Sequence, residues 1–225
     1  MNEQDGRAAF QAALNNQYFV LQSTAGNTVA ESSSRASLYV MALSSALVAF
    51  GFASRSSVAL GVFLAVVLPT LFVLGVFTVV RLVDTGVQNV RTLEAMARIR
   101  RYYAGLSPEA PALFGAGHTS MHEALDTLTV GAPGDAARFD AWARRRGRLA
   151  GLSTIASMVA VVNSVVGASA VALLVARIAG GFEHAAGATI GIGVGAGLVL
   201  VAAFVVYQDR RYQALLPASG EGHDT

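Results

Sequence analysis

Three residues with metal-ligating side chains, His118, His122 and Asp126, follow one another at intervals of four. One continuous helix would align them on a single face beside Glu123. The run Ser120-Met121-His122-Glu123 also fits a capping box, in which Ser120 caps a new helix and Glu123 reaches back to the cap. A helix that begins after Ser120 leaves His118 outside it and breaks the alignment, and no fourth ligand is identifiable. The expectation is therefore a solvated face and no bound metal, with His118, His122 and Asp126 kept as the residues of a metal- or ligand-sensing alternative. No paired catalytic carboxylates, Walker loop or supported Ser-His-Asp arrangement occurs. The chain has no Cys, hence no thiolate nucleophile, thiolate metal site or disulfide. A protein without catalytic activity and without a cofactor is expected.

The other candidate residues lie in apolar sequence. Gly191-Ile-Gly193-Val-Gly195-Ala-Gly197 resembles a nucleotide-binding loop only superficially, because a dinucleotide fingerprint must sit between a strand and a helix. This run sits inside a long apolar stretch. Gly187/Gly191, Gly191/Gly195 and Gly193/Gly197 read instead as overlapping small-xxx-small pairs that let another helix approach closely, within the bundle or between copies of the chain. Asn163 and Ser164 interrupt another apolar stretch, with Ser157 and Ser153 two and three turns before Ser164 on a shared face. A polar side chain at bilayer depth needs a partner, and such interhelical bonds are worth about 0.6–2 kcal/mol in membranes. Structural glue is the expected role of Asn163, Ser164 and Ser157; a hydrated path for a small channel or transporter is the alternative.

The elements that must position these residues follow from composition. The 225 residues are 54% hydrophobic and 13% charged, with a mean hydropathy of +0.53. Soluble domains carry about 25% charged residues, so this chain has too little polar surface to cover its apolar residues in water. Four uncharged apolar stretches stand out: Ala36–Ala53, Ser56–Val80, Leu149–Ala176 and Ala185–Tyr207. Each has about the length a spanning helix needs, and a lipid interior obliges each to be helical. None contains Asp, Glu, Lys, Arg or His in its interior, which argues against proton-coupled transport and membrane hydrolysis. Pro69 predicts a kink in the second stretch. Ser54-Arg55 joins the first two stretches in a tight hairpin, and Gly180-Gly181 marks a helix end between the last two.

All sixteen basic residues are Arg. Fourteen lie in the N-terminal segment, the central segment 81–148 and the C-terminal tail; Arg55 and Arg177 alone lie in the two hairpin turns. By the positive-inside rule both termini and the central segment face the cytoplasm, which predicts a multi-pass protein of a bacterial inner (plasma) membrane. Arg98, Arg100, Arg101, Arg144, Arg145, Arg146 and Arg148 are candidates for contact with anionic lipid head groups, each worth about 1 kcal/mol near the surface. They lack interleaved aromatics, so nucleic acid is not expected as a partner.

The flanking segments also read as helical. In residues 1–35, Phe10, Leu14, Tyr18 and Leu21 mark one helix face, and the helix is expected to run toward the first span with Gly26 as its breaking point. Leu82, Val83, Val87, Val90, Leu93, Ala97 and Ile99 form a looser stripe, and Glu94 and Arg98 a favourable pair one turn apart. Asp135 is expected to cap a helix through Phe139 and Trp142 into the third span. Residues 208–225 read as a disordered tail. The sequence thus predicts an all-α membrane protein: a four-transmembrane-helix bundle whose cytoplasmic helical extensions pack through Phe10, Leu14, Tyr18, Leu93, Phe139 and Trp142.

Tyr18-Phe-Val-Leu-Gln-Ser-Thr, followed by Glu31-Ser-Ser-Ser-Arg-Ala-Ser-Leu-Tyr at the first span, resembles uncharacterised actinobacterial four-span membrane proteins. The resemblance covers the N-terminal third best. It implies the four-span layout and carries no activity or functional residues. The expected function is that of a self-associating bundle in the lipid bilayer, acting as a scaffold, signalling partner or membrane effector and forming a homo-oligomer through its fourth span.

Overall fold

A computed structural model describes residues 3–106, 155–180 and 182–214, with the backbone alone at 182–185. Four helices account for nearly all of it: α1 (Glu3–Ala53), α2 (Ser57–Ala104), α3 (Ile155–Ile178) and α4 (Phe182–Gln213). All four are long and apolar enough to cross a membrane, and the described chain is an all-α four-helix bundle. The charged side chains that bracket the apolar part of each helix set its usable length. Arg35 on α1 and Arg55 in the turn after it are twenty residues apart, about 30 Å at 1.5 Å per residue, which matches a hydrocarbon core. Large apolar side chains stay exposed on the outside over this length, among them Leu47, Val62, Phe77, Val161, Leu174 and Leu198. Water would penalise such a surface; lipid does not.

α1 and α2 form an antiparallel hairpin far longer than a bilayer is thick. Their 51 and 48 residues give helices of about 77 and about 72 Å, so roughly half of each extends beyond a bilayer's hydrocarbon thickness as a two-helix stalk. Ser56 caps α2 in extended conformation, and its hydroxyl accepts from the Ala59 amide at 3.4 Å. Gly180 ends the α3 turn at φ +83°, a conformation that favours glycine.

Along α1 the partly or fully buried positions include Leu14, Tyr18, Leu21, Ala25, Thr28, Ser32, Arg35, Tyr39, Ala42 and Ala46, with Thr24, Ala36 and Leu43 beside them. The first ten are spaced alternately by four and three. This is the seven-residue repeat of a left-handed coiled coil, and it runs from the stalk into the apolar part without a break. Gly26 does not interrupt it. A helical Gly costs about 1 kcal/mol relative to Ala, less than a break in a long packed seam would cost. At the outer end Phe10 packs edge-on to Tyr102, with ring centroids 5.7 Å apart, although Phe10 remains half exposed. The Tyr103 hydroxyl donates to the Gln11 carbonyl at 3.3 Å.

α2 continues through Pro69 without interruption; of its expected stripe Leu82, Val83, Val87, Val90 and Ile99 are buried, and Leu93 and Ala97 half-buried. α3 packs on α2 and α4, and α4 packs mainly on α3. The core lies where the helices converge, in Tyr39, Val79, Leu82, Val83, Ala156, Val159 and Ala160, with Phe204 and Tyr207 against it. Two boundaries differ from expectation. α3 runs on to Ile178. Residues 208–213, expected in a disordered tail, continue α4 as helix because their side chains are tied to α2 and α3.

Candidate functional site

The polar residues inside the apolar sequence converge on one node. Asn163 stands a third of the way along α3, is 0% exposed, and accepts a hydrogen bond from the Tyr39 hydroxyl of α1 at 3.2 Å. Its side chain crosses the backbone of α2 at Gly75. A Cβ at Gly75 would lie 2.0 Å from Asn163 Oδ1 and 2.3 Å from its Cγ. Gly75 is therefore what allows α3 to place an amide against α2, and the node ties three helices together. Asn163 Nδ2 has no hydrogen-bond partner among the described residues. Ser164, also buried, donates to the Ala160 carbonyl of its own helix at 2.8 Å. Ser157 donates to Gln208 Oε1 of α4 at 3.0 Å. The residues expected to act as interhelical glue are thus buried between helices, and Asn163 and Ser157 join partners on other helices. Ser153 lies outside the described residues.

A second polar layer sits at the Arg-rich ends of the spans. Arg35 and Arg81 share Glu31, at 2.7 and 3.8 Å. Asp84 pairs with Arg211 of α4, and the hydrogen bond that the Arg211 guanidinium donates to that carboxylate holds its pKa above the ordinary value. Gly86 gives room to the Tyr212 hydroxyl, whose pKa burial pushes up. One turn further out, the Thr28 hydroxyl lies 3.2 Å from Asn89 Oδ1. Sequence reasoning missed Tyr39, Gly75, Asp84 and the α4 end as members of these layers. A buried Tyr or Gly carries no signal until its partner is placed opposite.

The glycines of α4 divide into two faces. A Cβ at Gly193 would meet Ala172 Cβ at 2.9 Å and the Ala168 carbonyl at 3.2 Å, and one at Gly197 would meet Ala168 Cβ at 3.1 Å. These two let α4 close on α3. Gly187, Gly191 and Gly195 have nothing within 4 Å of the Cβ position. The three pairs read from sequence are therefore not equivalent. A further close approach, missed in the sequence, is Gly167, whose Cβ would lie 2.6 Å from Leu200 and 2.8 Å from Phe72. Fully buried Thr189 was missed as well.

No family model, curated protein or solved structure matches this chain. The site must therefore be read from its own chemistry. Among the described residues no three His, Cys, Asp or Glu side chains gather to hold a metal; His118, His122 and Asp126 lie outside the described residues, as do Arg144, Arg145, Arg146 and Arg148. Arg98, Arg100 and Arg101 stand 17–20 residues beyond Arg81 on unbroken α2, about 25–30 Å along its axis. Arg98 pairs with Glu94 at 3.5 Å.

Proposed function

We propose that this chain is a non-enzymatic, self-associating protein of the bacterial inner membrane, with termini and stalk in the cytoplasm. The observation that carries the reading is the divided glycine face of α4. Gly193 and Gly197 are consumed by packing on α3, whereas Gly187, Gly191 and Gly195 leave a smooth, four-residue-spaced strip open toward the surroundings. In lipid the hydrophobic effect does not drive helices together, and close approach along small residues is a main source of affinity. A second copy of the chain is the partner that such a strip supports. The lopsided arginine distribution supports the orientation. The stalk would then act as a scaffold or signalling surface.

The test is cross-linking of the full chain in native-like lipid, with Gly191→Ile compared against Gly193→Ile. Gly191→Ile should shift the protein to monomer while leaving its fold intact. Gly193→Ile should damage the α3–α4 pairing itself, seen as lower stability. A wild-type chain that is monomeric in lipid, or an oligomer indifferent to Gly191→Ile, refutes the self-association.

A further inference from the structure

α2 carries two packing faces in the stalk. Leu82, Thr85, Asn89, Thr92, Met96 and Ile99 alternate in steps of three and four, are all buried, and face α1, where Asn89 meets Thr28. A second row, Val83, Gly86, Val90, Leu93, Ala97 and Arg100, follows the same steps one residue on, about 100° around the helix. Val83 and Val90 are 0% exposed, and the other four are partly buried. At this level the second row is the more apolar one. It carries Val83, Val90 and Leu93, while the row toward α1 carries Thr85, Asn89 and Thr92. Outside the bilayer such a row must be covered, and α1 already lies against the first.

The described helices cover only the first turn of the second row. Val79 and Val83 share the core with Ala156 and Ala160 of α3, and the Tyr212 hydroxyl of α4 fills the space at Gly86. α3 starts at Ile155 and α4 ends at Gln213. Beyond Gly86 no helix other than α1 runs beside α2 among the described residues. Arg100 forms no ion pair among the described residues, and its Nε is buried without a hydrogen-bond partner there.

The chain that enters α3 has the complementary pattern. Asn163 lies against Gly75, and Ala160 and Ala156 then reach Val79 and Val83 in the core, so α3 runs antiparallel to α2 in equal steps. The same steps continued backward fall on Ser153, Leu149, Arg146, Trp142, Phe139 and Asp135, which lie outside the described residues. Set antiparallel, they match the second row in order, with Leu149 at Val90, Trp142 at Ala97 and Phe139 at Arg100. The bulkiest side chain of the series thus falls on the smallest one in that stretch of α2. Asp135 falls one turn beyond Phe139 and supplies a carboxylate for the unpaired Arg100.

We propose that residues 135–154 continue α3 backward as a helix seated on the second row of α2, which makes the stalk a three-helix coil. Trp142 is its anchor over Ala97, between Leu93 and Arg100. Arg100 stacks on Phe139 and pairs with Asp135. Arg91 and Arg98, exposed on another face of α2, remain the surface that an external partner of the stalk meets. The seat uses none of the α4 glycines, so it stands or falls apart from self-association.

Trp142 is the only tryptophan, so its fluorescence reports the seat in the full chain reconstituted in nanodiscs. Its emission should be blue-shifted and shielded from acrylamide. Ala97→Glu should raise acrylamide quenching several-fold with helicity retained, whereas Gln88→Glu, exposed on another face of α2, should leave it unchanged. The chain has no Cys, so introduced cysteines give a second reading. Leu93→Cys with Arg146→Cys should close an intrachain disulfide under mild oxidation, and Leu93→Cys with Arg144→Cys, which the same steps turn away from α2, should not. If Ala97→Glu loses helicity, the cysteine pairs decide alone. A wild-type Trp142 that is freely quenched, or quenching indifferent to a folded Ala97→Glu, overturns the seat. So do equal disulfide yields from the two pairs, no disulfide from either, or a bond between two chains, which puts a second copy on α2.

Discussion

Replacing Gly75 by Ala adds a single methyl group, and the structure says where it must go. The new Cβ would lie 2.0 Å from Asn163 Oδ1, 2.3 Å from Cγ and 3.0 Å from Cβ. Relief requires α2 and α3 to part by about 1 Å, or Asn163 to swing off Tyr39. Overpacking of this kind costs about 1–3 kcal/mol. Asn163→Ala removes the bond from Tyr39, for a loss of about 0.6–1.7 kcal/mol by the scale of intramembrane hydrogen bonds. It also removes the two atoms that obstruct the Gly75 methyl and leaves only the 3.0 Å approach to Cβ. In Asn163→Ala the second substitution should therefore be nearly free, and the double variant should be more stable than the sum of the singles predicts by about 1 kcal/mol or more. Reversible unfolding in mixed micelles, followed by helical circular dichroism, measures all four corners of the cycle. Gly61→Ala is the control: its Cβ position is open, so helix propensity alone should leave stability unchanged or raise it by up to about 1 kcal/mol. If Gly75→Ala costs no more than Gly61→Ala, or if the cycle is additive within about 0.5 kcal/mol, the three-helix node does not exist as described.

The Asp84–Arg211 pair joins α2 to the end of α4 with both side chains partly exposed, so its loss should be modest. Asp84→Asn or Arg211→Gln should lower stability by no more than about 1 kcal/mol, the difference should shrink in high salt, and proteolysis at the α4 end should accelerate. Tyr212 gives a pH dependence. Burial raises its pKa above 10.0, so the unfolded chain releases this proton at a lower pH than the fold does. The contribution of the neutral phenol is complete below about pH 10 and fades as pH climbs toward the folded pKa. Wild type should therefore lose more stability between about pH 9 and pH 11 than Tyr212→Phe; identical slopes in thermal melts would contradict the burial.

The membrane class and the four helices were legible because lipid imposes a crude requirement, a length of apolar sequence, and composition meets it openly. The seam of α1 was only half legible. Leu14, Tyr18 and Leu21 announce a helix face, but the same repeat continues through Ala25, Thr28, Ser32, Ala42 and Ala46, which no hydrophobic pattern would select. In a bilayer the packing face is marked by small and weakly polar residues while Leu, Val and Phe face outward, so the usual sign of a buried stripe is inverted. The same inversion hid Gly75 and Gly167. Asn163 was legible as an anomaly, but its partner Tyr39 was not, because 124 residues of chain separate them. The α4 end read as tail because its polar residues suit solvent equally well; only opposite Asp84, Gly86 and Ser157 do they become contacts.

The continuity of that seam constrains how the molecule can work. In the stalk, Leu14, Tyr18 and Leu21 are held to α2 by the hydrophobic effect. At the boundary, where water competes, Thr28 meets Asn89 and Glu31 meets Arg81. In lipid the seam passes to Tyr39, Ala42 and Ala46, where close approach and the Tyr39–Asn163 bond remain. One unbroken helix carries all three regimes, with no glycine hinge and one repeat. A rotation of α1 about its axis that displaced Phe10 from Tyr102 would therefore also turn Tyr39 away from Asn163, some 29 residues along the same rigid rod. A slip of one residue is barred, because it would bring Arg35 and Ser32 off their positions and set Val40 against the amide. The stalk and the buried node are in this sense one mechanical element, and a partner that bends the stalk acts on the only buried amide that the spans contain among the described residues.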